Sequence, residues 1–319
     1  MKANILFSSV GRRVELVKAF REAKESLAIS GNLIGVDMDD LAPAMRFVDK
    51  GYRVPRINSK DFIREIIEVC KREEVDLIIP TLDTELKTYS ENKELIEKES
   101  GAKVLVGNKE IISIIRNKEK TCEYLEKNGF LVPKVIKEED ILNKKVNFPL
   151  FIKPLDGSSS ISNFKVENYR ELIFFKEYVK NPIIQEFIEG EEYCIDVFND
   201  FSGNVITVVP KLRIGHRAGE ITKAKVVKDK DLIDLGIKLG RKLKIIGEFN
   251  FDCIKNSDGI KILEINGRFA GGAPISFKAG ANSAKNIYKL LIGEKLEYNE
   301  DFKDKFIALR FDDAIFIED

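Results

Sequence analysis

The sequence contains no tryptophan and a single histidine, His216, among its 319 residues. One histidine excludes a site built from several imidazoles, and no nucleophile-elbow sequence accompanies it to support a serine-type triad. An excess of charge of either sign is also missing, since Lys plus Arg and Asp plus Glu both number 53. A neutral chain exerts no long-range pull on nucleic acid or anionic membrane, so small molecules are the expected partners. No apolar run approaches the roughly 20 residues of a membrane-spanning helix. The opening MKANILFSSVGRR is interrupted too soon for a signal peptide, and a cytoplasmic location is expected. Cys70, Cys122, Cys194 and Cys253 are scattered without a CxxC spacing among apolar neighbours, which reads as buried reduced thiols, not disulfides or zinc ligands.

What is present begins as alternation. NILFSSVG, NLIGVDMD, VDLIIP and AKVLVG read as strands, and RRVELVKAFREAKE and SKDFIREIIEVCKREE as amphipathic helices between them. Such a pattern implies a parallel sheet covered on both faces, a Rossmann-like α/β domain. Ser8, Ser9, Asp37, Asp39, Asp83 and Glu85 fall at strand ends, where open α/β sheets bind ligands. The dinucleotide fingerprint is lacking: SSVGRR offers Gly11 and then two arginines where pyrophosphate needs close backbone approach. Asp37 nevertheless stands where a ribose-binding acid would, so an NAD-dependent oxidoreductase remains the alternative from another class.

From Ile111 the texture changes. IISIIRNKEKTCEYLEKNGFLVPKVI reads as one helix closed by Gly129, followed by an extended segment. Strand-rich stretches with helices packed alongside then point to an α+β unit. Within it, KPLDGSSS puts Lys153 ahead of small residues whose N–H groups can approach phosphate oxygens. IIQEFIEGEE supplies Glu186, the backbone of Ile188, and Glu192, groups able to meet an adenine edge and ribose hydroxyls. KILEINGRFAGG carries Glu264, Asn266 and Arg268 at every second position, one polar face of a strand. That pattern fits either a solvated sheet face or a hard-cation site with an anion beside it.

The hairpin leading into this strand has two registers. A two-residue turn at Asp258–Gly259 sets Cys253 opposite Glu264; a three-residue loop from Ser257 to Gly259 sets Asp252 there instead. The second register gathers Asp252, Glu264 and Asn266 on one face, where two carboxylates require a cation between them. Lys118, in RNKEKT, offers a further cation. PKLRIGHRAGEITKA places Lys211, Arg213 and Arg217 at alternate positions, to bind an acceptor carboxylate or to form a solvated basic face. Asp83 and Glu85 are read as amine ligands reaching the same cleft from the first domain, or Asp83 as a helix cap.

Taken in order, Lys118, Lys153 with DGSSS, QEFIEGEEY, FNFD and LEINGRFAGG resemble the ATP-grasp superfamily, in particular stand-alone carboxylate–amine ligases similar to the carbamoyl-phosphate synthase large subunit. SSVGRRVELVKAF, GVDMDDLAPA and IIPTLDTEL resemble its preATP-grasp domain. The resemblance implies a Rossmann-like preATP-grasp domain over residues 1–112, an ATP-grasp small subdomain with the phosphate loop over 113–185, and a C-terminal subdomain with the metal site over 186–319. It implies ATP and Mg²⁺, with Mn²⁺ as substitute, and allows a homodimer.

Carried over by position, Lys118 and Lys153 meet the α- and β-phosphates, and Ser158, Ser159 and Ser160 close over the γ-phosphate. Glu186 and Ile188 meet adenine, and Glu192 ribose. Asp252, Glu264 and Asn266 hold the metal, and Arg268 touches the transferring phosphoryl. Lys153, Arg268 and Arg217 are the catalytic candidates. Two departures stand out: Gly267 where relatives carry proline, and serines where many carry glycines in the phosphate loop. The implied reaction forms an amide from a carboxylate and an amine through an acyl phosphate, releasing ADP and phosphate. Bicarbonate phosphorylation of the carbamoyl-phosphate synthase type is the alternative.

Overall fold

The computed structural model describes residues 1–156, 161–217 and 219–318. The first sheet comprises β1 (Ile5–Ser8), β2 (Leu33–Asp37), β3 (Lys50–Arg53), β4 (Leu77–Pro80) and β5 (Lys103–Val104), all parallel, in the order β3-β2-β1-β4-β5. β1, β2 and β4 are buried from end to end, as runs such as LIGVD and LIIP require when helices cover both faces. The connecting helices are α1 (Val14–Ser26), α2 (Phe62–Glu73) and α3 (Asp83–Ser100). Strand order reverses between β1 and β4, which opens a crevice at their carboxyl ends.

Two acids in that crevice serve the fold. Glu85 accepts from the hydroxyls of Ser8 and Ser9, both at 2.8 Å, and from the N–H groups of Thr81 and Leu82 at 2.6 and 3.0 Å. Asp37 accepts from the N–H of Gly11 at 2.8 Å and of Asp39 at 3.0 Å. Asp37 thus holds the glycine turn that would otherwise receive a pyrophosphate, and the dinucleotide alternative loses its ribose ligand.

The helix expected from Ile111 to Gly129 is two helices, α4 (Lys109–Ile115) and α5 (Lys118–Lys127). Asn117 breaks it: the residue is extended, and its side chain accepts from the N–H of Lys120 at 3.0 Å. Asparagine competes with the helical backbone in this way and so starts a new helix. Lys118 becomes its first residue, and its N–H donates to the carbonyl of Leu155 at 3.2 Å.

After α6 (Glu138–Leu142), an antiparallel sheet of β6 (Leu150–Pro154), β7 (Phe164–Val166) and β8 (Pro182–Glu186) runs in the order β7-β6-β8. With α7 (Tyr169–Tyr178) it encloses its own apolar core around Leu150, Ile152, Leu172 and Ile184. The largest sheet contains β9 (Glu191–Asn199), β10 (Val205–Arg217), β11 (Glu220–Val226), β12 (Gly247–Asn256), β13 (Gly259–Asn266) and β14 (Ile307–Leu309), in the order β13-β12-β9-β10-β11-β14. α8 (Lys230–Leu243) packs on β9 and β10. α9 (Ala273–Ala279) and α10 (Ser283–Leu291) return to the first sheet, where Phe20 of α1 lies 5.9 Å from the Phe269 ring and 6.0 Å from Tyr288.

Asp252 does lie opposite Glu264, but the three-residue loop is not the reason. Asn256 pairs with Gly259, so the turn is the two residues Ser257 and Asp258. The register then slips between Cys253, paired with Ile262, and Asp252, paired with Glu264, leaving Leu263 as the extra residue of a β-bulge. The bulge does the work assigned to the longer loop.

Candidate active site

β12 and β13 run beneath a cavity of about 230 Å³ whose far wall is the crevice of the first sheet. Asp252, Glu264, Asn266 and Arg268 all line it. Burial raises the proton affinity of Glu264; Lys118 opposes this and Asp252 adds to it. Burial likewise pushes Asp252 up, against the pull of Arg213. Asn266 donates to the side-chain oxygen of Asn250 at 3.2 Å, which leaves its own oxygen for other partners. Among the described residues no three His, Cys, Asp or Glu side chains are grouped as metal ligands. The donors are instead two facing carboxylates and an amide oxygen. An all-oxygen set in which one acid strains the other fits Mg²⁺, which completes its shell with water and phosphate oxygens.

Cations gather around the two carboxylates. Lys153, in β6, is buried, and its ammonium donates to the carbonyl of Leu263 in the bulge at 3.4 Å. Burial lowers the proton affinity of Lys118 and Lys153, and Glu264 is the first charge opposing that loss in each. Arg268 places Nη2 and Nε at 2.6 and 3.0 Å from one oxygen of Asp83, the first residue of α3, and Nη2 at 3.4 Å from Asn266 Oδ1. Asp83 is therefore the anchor of Arg268, a role that neither reading of the sequence assigned to it. The other oxygen of Asp83 is buried without a hydrogen-bond partner.

The remaining candidates divide. Glu186 accepts from the Lys261 ammonium at 2.6 Å and the Lys134 N–H at 2.9 Å, and Ile188 is half-buried in the connection from β8 to β9. Glu192 pairs with Arg213, which also stands 4.0 Å from Asp252. Ser158, Ser159 and Ser160 lie outside the described residues.

Of the three basic residues of β10, Lys211 and Arg213 stay in one register, whereas the register shifts on both sides of Gly215 before Arg217. Lys211 is fully buried and paired with Asp196, so it reads no substrate. Arg213 lines the cavity. Arg217, expected there, is 67 % exposed and holds Asp312 with Nη2 at 2.6 and 2.8 Å from its two oxygens. Gly267 does not loosen the chain before Arg268: a Cβ there would stand 2.9 Å from Ile115 Cδ1, so glycine lets the end of β13 press onto α4. Arg13 and Glu220, which also line the cavity, were missed. The sole signal for Arg13 was its place just after the β1 turn.

Known proteins resemble this chain at low identity. The chain is 25 % identical over 308 residues to the carbamoyl phosphate synthase large chain of Pseudothermotoga lettingae, covering 83 % of this chain and 27 % of the relative. It is 26 % identical over 230 residues to the 3-methyl-D-ornithine--L-lysine ligase of Methanosarcina mazei, covering 69 % of this chain and 56 % of that one. This chain thus matches only about a quarter to a half of these relatives' length. In fold it is similar to N5-carboxyaminoimidazole synthetase of Staphylococcus aureus, solved with ADP, at a TM-score of 0.73 and 15 % identity over 96 % of this chain and 80 % of that one. The biotin carboxylase domain of Hydrogenobacter thermophilus 2-oxoglutarate carboxylase, solved with MgADP, gives a TM-score of 0.76 at 15 % identity, over 96 % of this chain and 74 % of that one. With residues 5–105 matching the PylC-like N-terminal domain and residues 115–272 the ATP-grasp domain, the chain belongs to the ATP-grasp superfamily.

Proposed function

We propose that this chain is an ATP-dependent ligase joining a carboxylate to an amine through an acyl phosphate, with release of ADP and phosphate. One observation carries the proposal: the Asp252–Glu264 pair is within electrostatic reach of Lys118, Lys153 and Arg268, the last of them paired with Asp83. Several cations gathered around an anion pair suit transfer of a highly charged phosphoryl group between two bound anions.

Lys118 and Lys153 take the α- and β-phosphates, with Ser158, Ser159 and Ser160 over the γ-phosphate. Glu186 and Ile188 meet adenine, and Glu192 the ribose. Arg268, held by Asp83, donates to the phosphoryl oxygens as the group moves onto the acceptor carboxylate and charge builds on the departing ADP. Arg213 replaces Arg217 as the β10 residue near the acceptor, since it alone of the two borders the cavity. Asp252, Glu264 and Asn266 would hold one or two Mg²⁺, or Mn²⁺ in their place, supplying neutralisation of the phosphate charge when bound. The amine then attacks the acyl carbon, and phosphate departs with the bridging oxygen.

The relatives named as ligases support amino-acid-like substrates. The same proposal divides the chain at 112 and 185 and sets it in the cytoplasm, where four buried thiols stay reduced. Glu264→Gln tests it. The variant should keep its fold and lose ADP formation by about a thousand-fold, a magnitude typical of deleting one preorganised charge. ADP release at the unaltered rate would contradict the assignment of Glu264.

A further inference from the structure

The cavity contains three arginines, and two of them are already neutralised. Arg268 is paired with Asp83 and Arg213 with Glu192. Arg13, contributed by the loop after β1, has no carboxylate within 4.0 Å among the described residues; its Nη2 donates to the Thr81 carbonyl at 2.9 Å. Burial, and then repulsion from Arg268, lower its proton affinity to about 10, and the more distant carboxylates of Glu220 and Asp83 offset this only in part. A half-buried guanidinium facing another cation is costly unless an anion joins it.

Across from Arg13 stands Glu220, at the start of β11, with one oxygen 3.2 Å from Arg310. The two face each other over Gly271. A Cβ on that glycine would lie 3.4 Å from Arg13 Nη1, 3.3 Å from Glu220 Cδ and 3.4 Å from Glu220 Oε1. The missing side chain thus keeps open a gap with a guanidinium on one wall and a carboxylate on the other. No positive φ explains this glycine, so the gap and not the backbone accounts for it. At about 230 Å³ the cavity is smaller than the roughly 300–1,000 Å³ of drug-sized sites, and it suits a small ligand.

We propose that Arg13, Glu220 and Gly271 form the anchor for the zwitterionic end of an α-amino-acid substrate, the carboxylate on Arg13 and the ammonium on Glu220. This deepens the ligase reading and rests on it for the presence of two small substrates. The anchor is a binding element that lines the same cavity as Arg268, so its occupant can extend its reacting group toward Arg268.

Calorimetric titration of the full chain tests it, with and without a non-hydrolysable ATP analogue. The standard amino acids in L and D forms are used singly, followed by the α-carboxamide and the des-amino acid of the best binder. Each analogue should bind about ten- to hundred-fold more weakly than the parent, the loss expected for one charge-assisted contact. Arg13→Met should weaken the parent by a similar factor and no longer distinguish it from its carboxamide. Gly271→Ala keeps both charges and should also weaken the parent, because its methyl fills the gap.

Failure of every amino acid to bind would overturn the anchor. So would a folded Arg13→Met that still discriminates against the carboxamide. If Arg13→Met does not fold, unchanged binding by Gly271→Ala is the overturning result. Normal amide synthesis with unaltered KM in Arg13→Met would remove the anchor and leave the ligase. Amino-acid binding that depends on Arg13 without any ADP release would leave the anchor and remove the ligase.

Discussion

Glu264 is surrounded by charges that burial alone would disfavour. Lys118 and Lys153 lose proton affinity by desolvation, and Glu264 gains it; Glu264 opposes the loss in each lysine, and both lysines oppose its gain. Removing one ammonium should therefore disturb both ATP binding and phosphoryl transfer. Lys153→Met is expected to raise the KM for ATP and lower kcat together, by about ten-fold or more each, whereas Asp37→Ala leaves the KM for ATP unchanged. Steady-state kinetics decide this; the opposite pattern would move the nucleotide to the first sheet.

A second buried acid has no part in the chemistry. Glu248, in β12, is buried near Lys211 and Asp196, one of its oxygens unpartnered, and burial followed by the charge of Asp196 pushes its carboxyl well above the usual range. Its folded-state proton affinity exceeds that of the unfolded chain, so the stability it contributes is complete below the unfolded pKa of about 4.3 and drains away as pH rises toward the folded value. Glu248→Gln imitates the protonated acid. Its urea midpoint should match the parent near the acid end and exceed it increasingly up to pH 8; a lower midpoint at pH 8 would show that the charged form is the stabilising one.

At the scale of elements, most of the polar pattern of β13 was legible, because alternation follows from strand geometry. The means of pairing was not. A bulge depends on how two strands twist against β9 and β6, and no local turn signal marks Leu263. The break between α4 and α5 was hidden for a similar reason: IISIIRNKEK is apolar and charged at helical spacing throughout, and only Asn117 can cap. Asn117→Ala should cost about 1 kcal/mol in stability and, by releasing the first turn of α5, raise the KM for ATP through Lys118. Stability loss without any change in that KM would mean the cap serves packing alone.

At the scale of the whole molecule, the parallel first sheet was readable from its near-continuous apolar strands, and the antiparallel remainder from strand runs with scattered helices. The seam between them was not, because it joins residues far apart in the chain. Arg268 meets Asp83 across 185 positions, and Arg13 reaches a cavity floored by Gly271. No periodicity encodes such pairs. Arg217 illustrates the reverse case, a basic residue at the right spacing that the twist of β10 carries out to Asp312.

In the proposed reaction the seam would bring the acceptor carboxylate to Arg268, and the fate of its oxygens tests the whole account. When an amine expels phosphate from an acyl phosphate, the bridging oxygen leaves on phosphate. With the substrate carboxylate labelled in heavy oxygen, mass spectrometry of the released phosphate should find one labelled atom per turnover. Unlabelled phosphate during confirmed amide synthesis, or label recovered in AMP, would contradict transfer of the γ-phosphoryl to the carboxylate.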